Sequence, residues 1–221
     1  MVKEIETKKD KKRRKFKKIL VVFGVLLLIG GFGFLIWKML GKEPKMVVEI
    51  KELDNLKDYG YTLTDKDSKY FKAEYEELKK ILTTDNVDEE KYAIQVARMF
   101  VIDLYSMDTK VNKYDVGGLE YFYVDKKDMY EQKVMDSLYS TMLDDTYGDR
   151  KQELPLVKEI ETLSVEETDY ELGENEVSGY KVQLKITYEK DLGYDDEATL
   201  IICKEEGIRW SVVDFQPTLN N

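Results

Sequence analysis

The sequence predicts an α+β body carried behind one transmembrane helix, on three observations. An uncharged, apolar-rich run fills residues 19–37, apolar residues then recur every three or four positions between 67 and 144, and after Pro155 the period shortens to two. Helices followed by a run of alternating strands pack on one face of a sheet. Here that means three helices on a curved four-stranded antiparallel sheet.

The apolar run, Ile19 to Trp37, is nineteen residues without a charge. As a helix it spans about 28 Å, against a hydrocarbon core of about 30 Å. A helix satisfies its own backbone there, where no water is present to do so. The helix is expected over 19–40, with Trp37 at an interface and Lys38, Lys42 and Lys45 beyond it. Before it, residues 1–18 hold ten Lys or Arg against three Asp or Glu, a net of +7, so the remaining chain carries −17 of the total −10. This bias predicts a basic cytoplasmic tail that adheres to anionic lipid headgroups, and a C-terminal domain outside the cell membrane. Trp37-Lys38-Met39-Leu40-Gly41-Lys42 offers no small-x-small cleavage site and no lipidation cysteine, so the helix reads as an uncleaved, single-pass signal anchor. Its glycines (Gly24, Gly30, Gly31, Gly33) lack a strict G-x-x-x-G, and give only a weak case for a homo-oligomer.

Residues 41–66 read as a juxtamembrane linker or stalk, where the loose alternation from Met46 to Leu53 (Val47, Val48, Ile50, Leu53) could be a short strand or a continuation of the stalk and Tyr59-Gly60-Tyr61 a turn. The extracytoplasmic domain is placed at 67–221. Tyr70, Phe71, Tyr75, Leu78, Ile81 and Leu82 make a first amphipathic helix, with Thr64 to Asp67 supplying capping side chains. Asp88, Glu89 and Glu90 put negative charge at the start of a second. There Tyr92, Val96, Phe100 and Leu104 fall at four-residue intervals beside Ala93, Ala97 and Val101, a wide stripe that makes it the central buried helix. A third, roughly 126–144, carries Tyr130, Val134, Leu138 and Met142. Strands follow at 157–165, 180–188, 197–204 and 208–215. The second alternates most regularly, Tyr180, Val182, Leu184, Ile186 and Tyr188 against polar neighbours, as an antiparallel strand with one wet face does.

Composition narrows the function classes. A body of net −17 repels phosphate, which argues against nucleic acid as a partner. The single Cys203 leaves no internal disulfide to form, and its apolar neighbours Ile201 and Ile202 mark it as a small core residue. With no histidine, the commonest general base and transition-metal ligand is missing. Asp195-Asp196-Glu197 and Asp144-Asp145 lack calcium-loop spacing. No metal or cofactor is expected.

The closing strand Ile208-Arg209-Trp210-Ser211-Val212-Val213-Asp214-Phe215, after a long second helix, a third helix and three strands, resembles the cone-shaped nuclear-transport-factor-2-like superfamily. Joined to a basic tail and one anchor, the layout is similar to assembly subunits of type IV secretion and conjugation machines. Asp115-Val116-Gly117-Gly118 and Tyr147 to Pro155 resemble segments of membrane-anchored proteins of low-GC Gram-positive-type bacteria. The likeness covers about residues 67–216 and is one of layout. It carries no functional residue across position by position, and the fold hosts enzymes, binders and scaffolds alike.

Two groups of residues stand out as candidate sites. A pocket between the sheet and the long helix could receive Asp103 and Asp214. Two carboxylates in an apolar pocket can divide acid and base roles, whereas the plainer reading makes each a surface charge. Tyr147, Gly148, Asp149 and Arg150 could contact a partner, or Gly148 could end the third helix while Arg150 pairs with a carboxylate. Gly117 and Gly118 are ascribed to positive φ. Loop tyrosines (Tyr59, Tyr61, Tyr114, Tyr121, Tyr123, Tyr194) could build a contact surface. The leading expectation is a non-enzymatic scaffold or assembly component that meets other envelope proteins. The alternatives are a membrane-tethered small-ligand binder or enzyme using the pocket, and a regulator acting through its tail.

Overall fold

The computed structural model describes residues 49–205 and 207–217. The basic tail (1–18), the transmembrane helix (19–40) and the first part of the linker (41–48) lie outside the described residues. Among those described, no helix is long and apolar enough to cross a membrane. The described residues all belong to one compact unit.

The structure is α+β, with the elements in the order expected and one addition. Residues read as linker form a hairpin, β1 (Glu52–Leu56) and β2 (Tyr61–Thr64), paired antiparallel. Tyr61 and Leu63 alternate inward and are buried, so the folded body begins before residue 67. Helix α1 (Lys69–Leu82) is capped by Ser68, whose hydroxyl accepts from Phe71 N at 3.0 Å. Asp67, expected as a helix cap, instead accepts from Thr64 N at 2.6 Å, on the rim of β2.

Helix α2 (Glu89–Tyr105) is capped by Asp88 and buries eleven of its seventeen residues, which makes it the central element. Helix α3 (Lys127–Asp136) is shorter than predicted. The chain leaves it through turns at 137–142 that still bury Tyr139 and Met142. Apolar periodicity persists through those turns, and this made the helix look longer than it is.

The main sheet is a meander ordered β3 (Val157–Leu172), β4 (Asn175–Tyr188), β5 (Glu197–Lys204), β6 (Trp210–Pro217), antiparallel throughout. Bulges at 157/159, 162/164 and 201/202 shift its register, and such bulges bend a sheet. Val182, Leu184, Ile186, Ala198, Leu200, Ile202 and Val212 face the helices as one core. Beyond Thr168 the β3–β4 hairpin runs on as a ribbon, since β5 pairs only with residues 179–185 of β4.

Arg98 joins α1, α2 and the sheet edge. Its guanidinium binds both Glu74 oxygens (2.6 and 2.9 Å), the Tyr70 hydroxyl (2.9 Å) and the Ile160 carbonyl (2.8 Å). Tyr70 in turn accepts from Ile160 N, so two otherwise bare edge groups of β3 are satisfied by side chains. Burial resists ionisation of Glu74, yet the bonds from Arg98 and Gln95 hold its carboxyl below the usual range.

Candidate binding sites

Asp103 and Asp214 are not brought together. Asp214 borders a cavity of about 350 Å³ among the end of α2, α3 and β6. Asp103 faces a different one, of about 290 Å³, between the β2 rim and the loop after α2. A shared acid–base pair is therefore ruled out. Helix α2 turns the two neighbours to opposite sides, with Leu104 on the Asp214 cavity and Asp103 on the other.

In the second cavity Asp103 forms an ion pair with Lys110, both side chains being largely buried. Its other oxygen accepts from Gly118 N at 2.6 Å. Burial disfavours the Lys110 charge, but Asp103, with Tyr139 and Asp115 behind it, more than offsets this and raises the ammonium above its ordinary value. The pair serves to fasten the 115–118 loop onto α2. Two tyrosines complete that fastening: Tyr139 donates to Leu104 O (2.7 Å) and accepts from Gly117 N (3.3 Å), and Tyr130 donates to Gly117 O (2.8 Å).

Across the same cavity Glu120 accepts from Thr62 N (2.8 Å) and Asp67 from Thr64 N, so two carboxylates cap the free rim of β2. Burial raises the pKa of Asp67 above 3.8 and that of Glu120 above 4.5, despite these bonds. A carboxyl whose pKa is higher folded than unfolded binds its proton more tightly in the folded state. Its penalty is present above the folded pKa and disappears as pH falls through it. A rise in stability is therefore expected from these two groups as pH falls from neutral toward the ordinary carboxylate range. Lower overall negative charge contributes to this rise, so the diagnostic measurement is a comparison of thermal midpoints. In Asp67→Asn/Glu120→Gln, which keeps an acceptor at each site, the rise should be clearly smaller than in the parent.

The Tyr147–Arg150 string does not end α3, which stops eleven residues before Tyr147. Gly148, at φ 68°, closes a turn of its own, its N–H donating to Asp145 O at 2.8 Å. Arg150 makes no ion pair among the described residues. It donates to the carbonyls of Lys110 (2.9 Å), Asp108 (3.0 Å) and Leu143 (3.4 Å), while Asp145 accepts from its backbone N–H. Asp145 N to Val111 O (2.7 Å) and Asn112 Nδ2 to Asp144 (3.4 Å) tie the loops at 111–115 and 143–150 into one unit. On that unit Tyr114, Leu143 and Tyr147 are 67%, 60% and 48% exposed.

The other loop tyrosines divide. Tyr61 and Tyr121 are fully buried, stacked at 4.8 Å, and Tyr61 also shares a hydrogen bond of 2.9 Å with Tyr92. Tyr59 packs edge-on against Tyr92. These belong to the core, where a sequence reading places only Tyr92. Cys203 is buried as expected, and burial pushes its thiol up to about 11, far from a reactive thiolate.

The 350 Å³ cavity has walls of Leu104, Phe122, Tyr130, Val134, Leu138 and Phe215, with Met129 exposed at its edge. Four charged side chains line it, Lys126, Lys133, Asp195 and Asp214. Asp195 accepts from the Tyr105 hydroxyl (3.1 Å) and Asp214 from Gln216 (3.1 Å). Lys126 Nζ donates to the Tyr170 hydroxyl (3.0 Å) and Val213 O (3.2 Å), clipping the β3–β4 ribbon to β6. Sequence reasoning missed both Lys126 and Lys133, because lysines flanking a short helix read as solvated.

No family signature, curated protein or solved structure matches this chain.

Proposed function

We propose that this chain is a single-pass membrane protein of the cell envelope that works by contact rather than catalysis, its folded body presenting a docking surface outside the membrane. The observation that carries this is the pair of loops at 111–115 and 143–150. They expose Tyr114, Leu143 and Tyr147 while Arg150 and Asp145 fix their backbones. Large apolar and tyrosine side chains on a pre-ordered surface lose little entropy on binding, and residues of this kind dominate protein interfaces. The separation of Asp103 from Asp214, and the commitment of Asp103 to Lys110, support a non-enzymatic role.

The partner is an envelope protein with an apolar patch rimmed by Lys or Arg. Asp144, Asp145 and Asp149 neighbour Leu143 and Tyr147 in the sequence, on a body of strongly negative charge. The charge complementarity this requires acts mainly on encounter rate and register. The test places a photo-crosslinking residue at Tyr114, Leu143 or Tyr147, and as control at Lys185 on the wet side of β4, in native membranes. One envelope protein should be captured from all three loop positions and not from Lys185. Asp149→Lys, or raising the salt, should lower the yield at Leu143. Equal capture from Lys185, or none from the loops, overturns the reading.

A further inference from the structure

We propose that a third cavity, between the start of α2 and the strands of the main sheet, binds an amino sugar, a hexose ring carrying a protonated amine. This cavity, of about 570 Å³, is bounded by Glu89 on α2, residues 167–169 of β3 and 178–180 of β4, Lys204 at the end of β5 and Trp210 at the start of β6. It shares no residue with the loops at 111–115 and 143–150. At about 30 Å³ per water-sized group it admits one hexose ring, of about a dozen heavy atoms, with several waters. Apart from Gly179, every residue on it has a hydrogen-bonding side chain, and no Val, Leu, Ile or Met borders it. That lining suits a polyhydroxylated ligand and gives an alkyl chain no aliphatic wall to lie on.

An aromatic pair and the lining charges select the sugar. Trp210 is only 5% exposed, and its ring packs on that of Tyr180 with centroids 5.3 Å apart, a wall against which the C–H face of a sugar ring can lie. The indole N–H of Trp210 makes no hydrogen bond among the described residues. The unpartnered polar atoms sealed from solvent there are Tyr121 Oη and Arg209 Nε, so this N–H stays accessible. It needs an acceptor, which a sugar hydroxyl or ring oxygen supplies and a bare alkylammonium does not. Charge then separates one sugar from another. Lys204 is already paired with Glu89. The Asp169 carboxylate accepts from Ser178 Oγ at 2.9 Å, and neither it nor Glu167 meets a cation among the described residues. Three carboxylates against one ammonium leave the lining with an excess of two negative charges. Burial and the nearby carboxylates of Glu167, Glu90, Glu89 and Asp88 raise the Tyr180 phenol above its ordinary value, in keeping with that field. An amine is therefore favoured over a neutral or acidic sugar.

The test uses the full chain in phosphatidylcholine nanodiscs with Trp37→Phe, so that tryptophan fluorescence comes from Trp210 alone. The glucosamine trimer is expected to shift the emission in a saturable way, with calorimetry on the same samples as the second readout. The N-acetylated trimer keeps the hydroxyls and loses the charge, so it should bind about fivefold more weakly, the worth of one exposed charge pair. The galacturonate trimer should not bind. Glu167→Gln, at an exposed position where folding is not at stake, should weaken the glucosamine trimer to the level of the acetylated one. It should leave the acetylated trimer unchanged, a split that a general loss of structure would not produce. No saturable signal from the glucosamine trimer in either readout overturns the proposal. So does acetylated trimer binding as tightly as the amine, or spermidine binding as tightly, which would show that charge alone is read. Crosslinks from Tyr114, Leu143 and Tyr147 bear on the docking reading alone.

Discussion

Replacing Lys110 with methionine is expected to destabilise the body by about 3–5 kcal/mol, because it leaves the Asp103 carboxylate buried without a counter-charge. Lys110 is 8% exposed and its ammonium is bound to Asp103, which lies against the cavity at the β2 rim with Asp67, Asp115 and Glu120. Removing it leaves Lys66 as the cation on a lining with four carboxylates, and it costs more than the lost pair itself, since the carboxylates then repel one another in a partly buried setting. Urea unfolding measures this directly. The second variant isolates the cause: Lys110→Met/Asp103→Asn keeps an acceptor for Gly118 N and removes the orphaned charge, so it should be more stable than Lys110→Met alone. If the double variant is no better than the single one, the stabilisation comes from packing of the lysine stem and not from charge.

The same residues show how far a sequence can be read. Helix α2 was legible because a four-residue recurrence of apolar groups admits one explanation, a helix buried on most sides, and Tyr92, Val96, Phe100 and Leu104 are all buried. Strand β4 was legible where one face is core. The run of β3 past Val165 was not, because Glu166, Glu167, Thr168 and Asp169 offer no apolar alternation, and the strand there is held by backbone pairing with residues 178–181 of β4. The β1–β2 hairpin escaped because only Tyr61 and Leu63 point inward, and two positions do not make a period. Asp103 could be placed on a helix from spacing, but its partner Lys110 lies past the helix end, in a turn whose geometry no local pattern fixes. Likewise Arg150 was expected to contact a partner or to pair with a carboxylate, yet its side chain donates to main-chain carbonyls, which leave no trace in composition. The lysines of the cavity rim were invisible for a related reason: what marks them is their place on the cavity lining, and that is a property of the folded surroundings.

Gly117→Ala is expected to destabilise the body by about 4 kcal/mol or more, in the range reserved for substitutions the backbone cannot accommodate. The sequence suggested that both Gly117 and Gly118 serve positive φ, but only Gly118 has it, at 82°. Gly117 is required by proximity. A Cβ there meets the carbonyl carbon of Asp103 at 2.5 Å and Leu104 Cα at 2.9 Å, with the Asp103 carbonyl oxygen closer still. These are main-chain atoms of the most deeply buried helix, so no rotamer change relieves the clash. The loop has to lift, and lifting it breaks at once the bond from Tyr130 and those the loop donates to Tyr139 and Asp103. Gly173→Ala is the matched control. Gly173 also has positive φ, 68°, but nothing lies within 4 Å of a Cβ placed on it, so only the left-handed backbone penalty of about 1–2 kcal/mol applies. Chemical denaturation of the two variants separates close approach from conformation. If Gly117→Ala costs no more than Gly173→Ala, the loop is not seated on α2 as described.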